Sequence, residues 1–268
     1  MYGYGFGAVN RLVFGGGLYT ARTSAFATAS GISDPTILNA LSTLDQGLID
    51  NSLDSKILAL YPMVGGTASS HKWNFMDARD LDAAFRLTFS GGWVHSITGA
   101  LPNGTNAFAN TYLIPSVLSQ DSNHLLYYSR TNSQSIGQDM GALVEPGFVR
   151  FDMLLRWTDN NSYNSLMTIF QVGVASTDST GFWLSSRTNS SDIAHFRNAT
   201  KIATTSGASS SPALFTIPIY LGAGNRAVPK YTNRETAMCT VGDGISDSDA
   251  STFYTLVQAF QTSLSRQV

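Results

Sequence analysis

The amino-acid sequence predicts a mainly β fold, a sandwich of two sheets, with helices only near its two ends. From position 83 onward, short segments alternate apolar and polar residues, which is the period of a strand with one buried face. Turn residues separate these segments at the spacing that is typical of sandwiches. The composition agrees, because only 13% of the 268 residues are charged and 24 are glycine. Such a composition suits many short strands joined by polar turns.

The chain is predicted to divide into three regions: an N-terminal segment (1–25), a helical and oligomerisation region (26–62) and the sandwich (63–268). In the first region, glycines alternate with Tyr2, Tyr4 and Phe6, and a second apolar group contains Leu12 and Phe14. This segment is too rich in glycine and too short to build its own core. It is either a disordered leader or an anchor that becomes ordered on a partner subunit. We favour the anchor, because exposed aromatic side chains in a free tail lower solubility.

Residues 33–60 are predicted to form two helices. Asp34 can cap the first helix, Pro35 suits its first turn, and Gly47 is expected to end it. A second short helix is expected from position 51 or 52 to position 60. The apolar stripe of the first helix has two interpretations, a lid on the sandwich or a bundle between copies of the protein. Its spacing covers barely two heptads, so both remain open.

The clearest strand is predicted over residues 149–157. One face carries the apolar residues Val149, Phe151, Met153, Leu155 and Trp157, and the other carries Arg150, Asp152 and Arg156. Residues 166–174 are apolar on both faces and predict a central strand. Further strands are expected over 85–89, 182–184, 193–196, 217–221 and 237–241. We assign Trp73 and Trp157 to the core.

A capped amphipathic helix is predicted at the end of the chain. Ser246 is the expected N-cap, with Asp249 in the first turn. Gln258 and Gln261 are expected on the flanks of the helix. One apolar stripe follows at three- and four-residue spacing and must pack on an apolar surface: Ala250, Phe253, Tyr254, Val257, Phe260 and Leu264.

This closing segment, GDGISDSDASTFYTLVQAFQTSLSRQV, resembles that of concanavalin A-like (lectin- or laminin-G-like) sandwich proteins of tailed bacteriophages, including the crAss-like gut phages. The similarity continues upstream through LDAAFRLTFSGGWVHSITGALPNGTNAFANTYLIPSVL and YTNRETAMCTVGDG, and spans about residues 55–268. It implies a jelly-roll sandwich and a structural virion protein, such as a head or tail appendage, a fibre or a decoration protein. It further implies assembly in the host bacterial cytoplasm, virion partners for the N-terminal segment, and a homotrimer. Because one scaffold carries unrelated functions, it names no ligand.

The sequence lacks the residue patterns of a hydrolase. Glycosidic bond cleavage needs two carboxyl groups held close across a sugar ring, whereas the two glutamates, Glu145 and Glu235, lie ninety positions apart. Asp77, Asp80 and Asp82 occur where a helix is expected to start, and we assign them structural roles. A glycan-cleaving enzyme is therefore our third hypothesis. We expect no enzymatic activity and no cofactor.

Metal, nucleic-acid and membrane sites are likewise not predicted. The single cysteine, Cys239, permits no internal disulfide and is expected to be a small buried hydrophobe. Residues 159–161 and 178–180 could ligate calcium, as in some lectins, or form turns stabilised by Asp and Asn side chains. The net charge of −2 offers no basic surface for nucleic acid. No apolar run is long enough to cross a membrane.

The alternative function is a carbohydrate-binding module that attaches to bacterial surface glycans or mucin. Trp93 and Trp183 are placed at strand ends, where an indole could face solvent. His95 follows Trp93, and Tyr231 and Asn233 occur in a loop before the last strand. The opposing interpretation is that these aromatic residues belong to the core or to a subunit interface, where large aromatic side chains usually lie.

Overall fold

The computed structural model describes residues 18–145 and 147–268. Two sheets pack face to face, and helices cover the outer face of one of them, which confirms the prediction of a mainly β sandwich with helices near both ends. The predicted anchor residues Tyr2, Tyr4, Phe6, Leu12 and Phe14 lie outside the described residues.

The described residues form eight strands in the first sheet, whose order is β13-β12-β11-β6-β17-β4-β3 with β1 beside β17. Its strands are β1 (Ile57–Tyr61), β3 (Trp93–Ser96), β4 (Gly99–Pro102), β6 (Asn123–Ser129), β11 (Gly181–Arg187), β12 (Asp192–Arg197), β13 (Thr200–Ser206) and β17 (Thr236–Gly242). Every pairing in this sheet is antiparallel.

The second sheet follows the order β10-β9-β8-β7-β14-β5-β2, and β15 lies beside β7 and β16. Its strands are β2 (Thr88–Ser90), β5 (Phe108–Asn110), β7 (Met140–Val144), β8 (Val149–Leu154), β9 (Asn161–Thr168), β10 (Gly173–Ala175), β14 (Tyr220–Leu221), β15 (Ala223–Asn225) and β16 (Lys230–Tyr231). The β7–β15 pairing is parallel, unlike the others.

The helices are α1 (Ala21–Ser30), α2 (Pro35–Asp50), α3 (Ala68–His71) and α4 (Asp247–Ser263). Single 3₁₀ turns occur at Asp54–Lys56, Asp82–Ala84, Pro115–Val117 and Pro212–Leu214. The α1 helix was not anticipated, and it begins inside the predicted N-terminal segment. Thr20 caps it by accepting a hydrogen bond from the Thr23 amide at 3.2 Å.

Two apolar cores lie on opposite faces of the first sheet. The core between the sheets contains Tyr61, Leu125, Tyr127, Met140, Phe151, Met153, Leu166, Trp183, Phe215, Cys239 and Val241. The core between the first sheet and the helices contains Phe26, Leu41, Leu44, Leu48, Trp73, Leu126, Tyr128, Phe182, Phe253, Val257 and Phe260. The first sheet is therefore covered on both sides, whereas the second sheet keeps an outer face.

The α2 helix forms a lid, the first of the two interpretations that the sequence left open. Asp34 caps it by accepting from the Thr36 amide at 2.7 Å, and the helix continues past Gly47 to Asp50. Its apolar stripe is buried within the same chain against α4 and the first sheet. This stripe is consequently not available to other copies of the protein.

The predicted second helix is wrong. Residues 57–61 form β1, which pairs with β17 so that Tyr61 lies opposite Cys239. The segment is apolar at nearly every position, so its pattern fits a buried strand as well as a helix. Pairing with a strand from the far end of the chain decides between them.

The central strand predicted over residues 166–174 is also wrong. The β9 strand ends at Thr168, Ile169 and Phe170 are about half exposed, and β10 is a three-residue edge strand. Met167 has a positive φ of 47°, and the Phe170 amide donates to Thr168 Oγ1 at 3.1 Å. These local features turn the chain away from the sheet.

The α4 helix confirms the prediction from the closing segment. Ser246 Oγ accepts from the Asp249 amide at 3.2 Å, and Ala250, Phe253, Val257 and Phe260 are buried. The placement of Gln261 on an exposed flank is wrong, because it is buried and its side-chain oxygen accepts from Arg266 Nε at 2.6 Å.

Candidate functional site

A cavity of about 330 Å³ opens on the outer face of the second sheet. We call it the Trp157 cavity. It is lined by Gln138, Arg150, Leu154, Trp157, Tyr163, Gln171 and Arg226. Sites for small ligands are typically concave, largely apolar and equipped with a few polar groups that fix orientation. This lining is more polar than that, because two glutamines and two arginines stand beside Leu154, Trp157 and Tyr163.

The strand alternation expected for residues 149–154 creates one wall of the cavity. Phe151 and Met153 face the core between the sheets, so Arg150, Asp152 and Leu154 face outward. In the β8–β9 pairing, Leu154 lies opposite Tyr163, which places the tyrosine ring on the same outer face.

Trp157 faces the cavity and is only partly buried, so its assignment to the core is wrong. The β8 strand ends at Leu154, and a tight turn follows in which the Asn160 amide donates to the Trp157 carbonyl at 3.1 Å. Asn160 has a positive φ of 61° in this turn. Before this turn, two residues between Leu154 and Trp157 face the single residue between Asn161 and Tyr163, because Leu154 pairs with Tyr163 and the Trp157 amide donates to the Asn161 carbonyl at 2.7 Å. This extra residue shifts the alternation, so the indole faces outward. Within residues 18–145 and 147–268 the indole N–H of Trp157 has no acceptor, which leaves this donor for a ligand.

Tyr163 is held in place from outside the cavity. Its hydroxyl donates to Asp159 Oδ2 at 2.5 Å, and this hydrogen bond raises the pKa of the tyrosine. Asp159 Oδ1 accepts from the Asn161 amide at 2.9 Å. The loop that was considered for calcium therefore closes as a turn and positions an aromatic ring beside Trp157.

A buried carboxyl group, Asp152, lies beneath the floor of the cavity and is 1% exposed. Its Oδ2 accepts long contacts from Arg150 at 3.4 Å and Gln138 at 3.5 Å, and no described residue donates a hydrogen bond to its Oδ1. Burial raises its pKa to about 6, against the opposing effect of Arg150. The side-chain oxygen of Gln138 is likewise buried, and the described part of the chain gives it no donor.

Two glycines allow the backbone to approach these polar side chains. A Cβ on Gly141 in β7 would come within 2.4 Å of the Asp152 Cβ, and one on Gly224 in β15 would come within 2.6 Å of Gln138 Oε1. Gly141 and Gly224 lie opposite each other in the parallel β7–β15 pairing. This pairing brings residues from distant parts of the sequence together beneath the cavity.

Arg226 follows β15 and forms the opposite wall. Its terminal nitrogen donates to Glu145 at 2.6 Å, while its Nε is buried and finds no acceptor among residues 18–145 and 147–268. An unpaired buried donor of a charged group is costly. The guanidinium therefore has hydrogen-bonding capacity that the described residues leave unused.

Of the predicted glycan residues, Trp183 is wrongly placed. It lies in the middle of the first sheet, is 1% exposed and faces the core between the sheets. Its indole donates to the carbonyls of Ser179 and Thr180 at 3.1 and 3.2 Å. The ring offers no face to a ligand.

Trp93 and His95 come together on the edge strand β3, where their rings stack at 6.1 Å. Trp93 packs against the core, and its indole donates to the carbonyls of Ser90 and Phe108 at 3.1 and 3.2 Å. His95 Nδ1 lies 3.0 Å from His71 Nδ1, and burial lowers the pKa of both histidines. The polar atoms of this cluster are thus largely engaged within the chain.

Tyr231 and Asn233 do not line the Trp157 cavity. Tyr231 is half-buried in β16, and exposed Asn233 accepts from Ser133 Oγ at 3.0 Å. Their neighbour Thr232 donates to the Gly222 carbonyl at 3.0 Å. A Cβ on Gly222 would come within 2.7 Å of the Trp93 ring. These residues therefore border the Trp93 region.

The other acidic groups serve local structure. Asp178 accepts from the Thr180 amide at 2.9 Å and binds Arg197, while Asp77 binds Arg79. Among the residues that the structure describes, no three His, Cys, Asp or Glu side chains form a group that could hold a metal ion. Within the same residues, no helix is long and apolar enough to cross a membrane.

Three larger cavities, of about 520, 530 and 400 Å³, adjoin α1 and α2. Arg22 binds Asp45 and Asp54 in the first, and Gln46 donates to Asp50 at 2.7 Å in the second. None of the three is lined by a tryptophan. The Trp157 cavity is therefore the better candidate despite its smaller volume.

No family model matches the chain, and no curated protein matches its sequence. Among solved structures, domain 4 of AbnA, a GH43 extracellular arabinanase from Geobacillus stearothermophilus solved with arabinotriose, is similar at 11% identity and a TM-score of 0.49. The match covers 74% of this chain and 98% of that domain.

The botulinum neurotoxin serotype D binding domain is similar at 8% identity and a TM-score of 0.47, covering 76% of this chain and 53% of that one. Trypanosoma rangeli sialidase is similar at 10% identity and a TM-score of 0.43, covering 81% and 38%. The chain thus spans about half or less of these two proteins. At such identities and TM-scores, the likeness carries no argument about ligand or activity.

Proposed function

We propose that this protein is a binding module that holds a sugar unit in the Trp157 cavity. The observation that carries the proposal is the half-buried indole of Trp157, with its unused N–H, beside the ring of Tyr163 and within a wall of amide and guanidinium groups. Tryptophan and tyrosine combine an apolar face with a polar tip, which suits a ligand that is apolar on its ring faces and polar at its edges. A volume of about 330 Å³ lies at the lower end of the range of small-ligand sites.

The arrangement of carboxyl groups favours binding over hydrolysis. Asp152 lies beneath the cavity floor, Glu145 is bound by Arg226, and Glu235 is engaged on the first sheet by Thr98 Oγ1 at 2.6 Å. Most glycosidases cleave with two carboxyl groups that flank the scissile bond. A binding role requires no such pair.

A glycan array on the purified protein tests this function, with Trp157→Ala as the site variant and Tyr231→Ala as the matched control. Tyr231 is also a half-buried aromatic residue on the second sheet, but it lies outside the cavity. We expect specific saccharide signals that Trp157→Ala abolishes and Tyr231→Ala preserves. Signals lost in Tyr231→Ala or Trp93→Ala but kept in Trp157→Ala would place the site elsewhere, and an empty array would contradict the function.

The virion setting that the sequence resemblance implies is part of the same proposal. In it, the N-terminal segment attaches the protein to a head or tail structure, and the sandwich presents the Trp157 cavity to host surface glycans or mucin. Finding the protein as a stoichiometric component of purified phage particles would support this setting. Its absence from such particles would contradict it.

A further inference from the structure

The charged side chains that line the Trp157 cavity are both arginines, Arg150 and Arg226. Each guanidinium has five N–H donors. Arg150 uses one in a 3.4 Å contact with Asp152, and Arg226 uses one in its 2.6 Å contact with Glu145. Most of their donor capacity is thus unassigned among residues 18–145 and 147–268.

The two acidic neighbours of these arginines are poorly placed to saturate them. Asp152 is buried beneath Arg150 at a distance too long for a strong hydrogen bond, and its Oδ1 accepts no hydrogen bond from any described residue. Glu145 approaches Arg226 from one side only, and the buried Nε of Arg226 is left without an acceptor in the described chain. Neither carboxylate lines the cavity itself.

We propose that the sugar held in this cavity is acidic, and that Arg150 and Arg226 bind its negatively charged group while Trp157 and Tyr163 hold its ring. This inference rests on the proposed function and narrows its ligand class. A planar guanidinium matches a carboxylate in a bidentate, charge-assisted contact, which is stronger than a hydrogen bond to a neutral hydroxyl. A uronic acid and a sulfated sugar share this chemistry.

Calorimetric titrations with matched oligosaccharides test the inference. The probes are hexuronate oligosaccharides, their carboxyl-reduced neutral counterparts of the same length and linkage, and sulfated neutral oligosaccharides. We expect the acidic forms to bind about tenfold or more tightly than the neutral ones, which is the ratio that one charge-assisted contact produces. Their affinity should fall with added salt.

Variants of the charged residues give effects of opposite sign. Arg150→Gln and Arg226→Gln should each weaken acidic-ligand binding by about tenfold and change neutral-ligand binding little. Glu145→Gln should strengthen acidic-ligand binding, because it removes a competing negative charge from Arg226. Arg79→Gln is the matched control, since Arg79 is exposed, forms its ion pair with Asp77 and does not line the Trp157 cavity. Thermal unfolding of each variant checks its folding.

The outcomes separate this inference from the proposed function. Tighter binding of uronates or of sulfated sugars supports the inference and identifies the source of the charge. Equal or tighter binding of the neutral forms, lost in Trp157→Ala, overturns the inference and leaves the function intact. Failure of every saccharide to bind overturns both. If the arginine variants do not fold, the Glu145→Gln variant and the salt dependence of the wild type decide.

Discussion

Replacing Asp152 with asparagine should change how the stability of the protein depends on pH. Asp152 is buried, and its pKa is raised from 3.8 to about 6 because burial outweighs the attraction of Arg150. Between these two values, the unfolded chain releases the proton while the folded protein retains it. Rising pH therefore lowers the stability of the folded state in this window, and the loss is complete above the folded pKa.

The expected size follows from the two pKa values. At about 1.36 kcal/mol per pKa unit, the ionisation of Asp152 lowers the free energy of unfolding by about 3 kcal/mol across the whole window. About 2 kcal/mol of this falls between pH 4.5 and pH 8. An asparagine side chain has nearly the same shape as an aspartate but cannot ionise. The difference in stability between Asp152→Asn and the wild type should therefore grow in favour of the variant by about 2 kcal/mol over that range.

Urea unfolding at pH steps from 4.5 to 8 measures this difference, provided that the m-values of the two proteins agree. Asp77→Asn is the control, because the contact with Arg79 lowers the pKa of Asp77. The stability that Asp77 contributes is present above its unfolded pKa of 3.8 and is lost as the pH falls below that value, so between pH 4.5 and 8 the curves of its variant and the wild type should run parallel. Parallel curves for Asp152→Asn and the wild type would refute the reasoning about the cavity floor.

Three further predictions concern stability and assembly. Arg234→Ala should lower the free energy of unfolding by about 3–5 kcal/mol, because it leaves the buried carboxylate of Asp139 without its ionic partner. The two side chains are 0% exposed and 2.7 Å apart. A decrease below 1 kcal/mol in urea unfolding would contradict this prediction. Phe260→Asp should sharply lower the folded yield, whereas Thr255→Asp on the exposed side of α4 should not; an unchanged melting temperature for Phe260→Asp would show that the stripe is not buried. We predict the trimer that the sequence resemblance implies, so light scattering should give about three times the 28.8 kDa chain mass. A monomer at micromolar concentration would contradict this prediction.

Local signals in the sequence predicted the elements that depend on local chemistry. Ser246 and the apolar spacing behind it were sufficient for α4, and Asp34 with Pro35 was sufficient for the start of α2. The alternation from Val149 correctly placed Arg150 and Asp152 on the face away from the core. In each case a cap or a period of two carries the information within a few residues.

The site itself depends on features that such patterns do not carry. Trp157 leaves the core because one extra residue between Leu154 and Trp157 shifts the strand alternation, and a period-two pattern does not show such a shift. Arg226 and Gln138 both line the cavity because the parallel pairing of β15 with β7 joins distant segments. One signal was present in the sequence. Charged residues on one face of an otherwise apolar strand suggest a polar site, and Arg150 and Asp152 form such a pair.

The indole N–H signals of the four tryptophans test the central claim most directly. A two-dimensional ¹H–¹⁵N spectrum can be recorded while a saccharide selected on the array is added, with Trp157 assigned through Trp157→Phe. The Nε1–H groups of Trp93 and Trp183 are bonded to carbonyls inside the protein. That of Trp73 is buried without an acceptor among the described residues, whereas Trp157, whose N–H also finds none there, lines the cavity. We predict that the Trp157 signal shifts in a saturable manner and that those of Trp73, Trp93 and Trp183 stay in place. A saturable shift of Trp93 with an unchanged Trp157 signal would contradict the account.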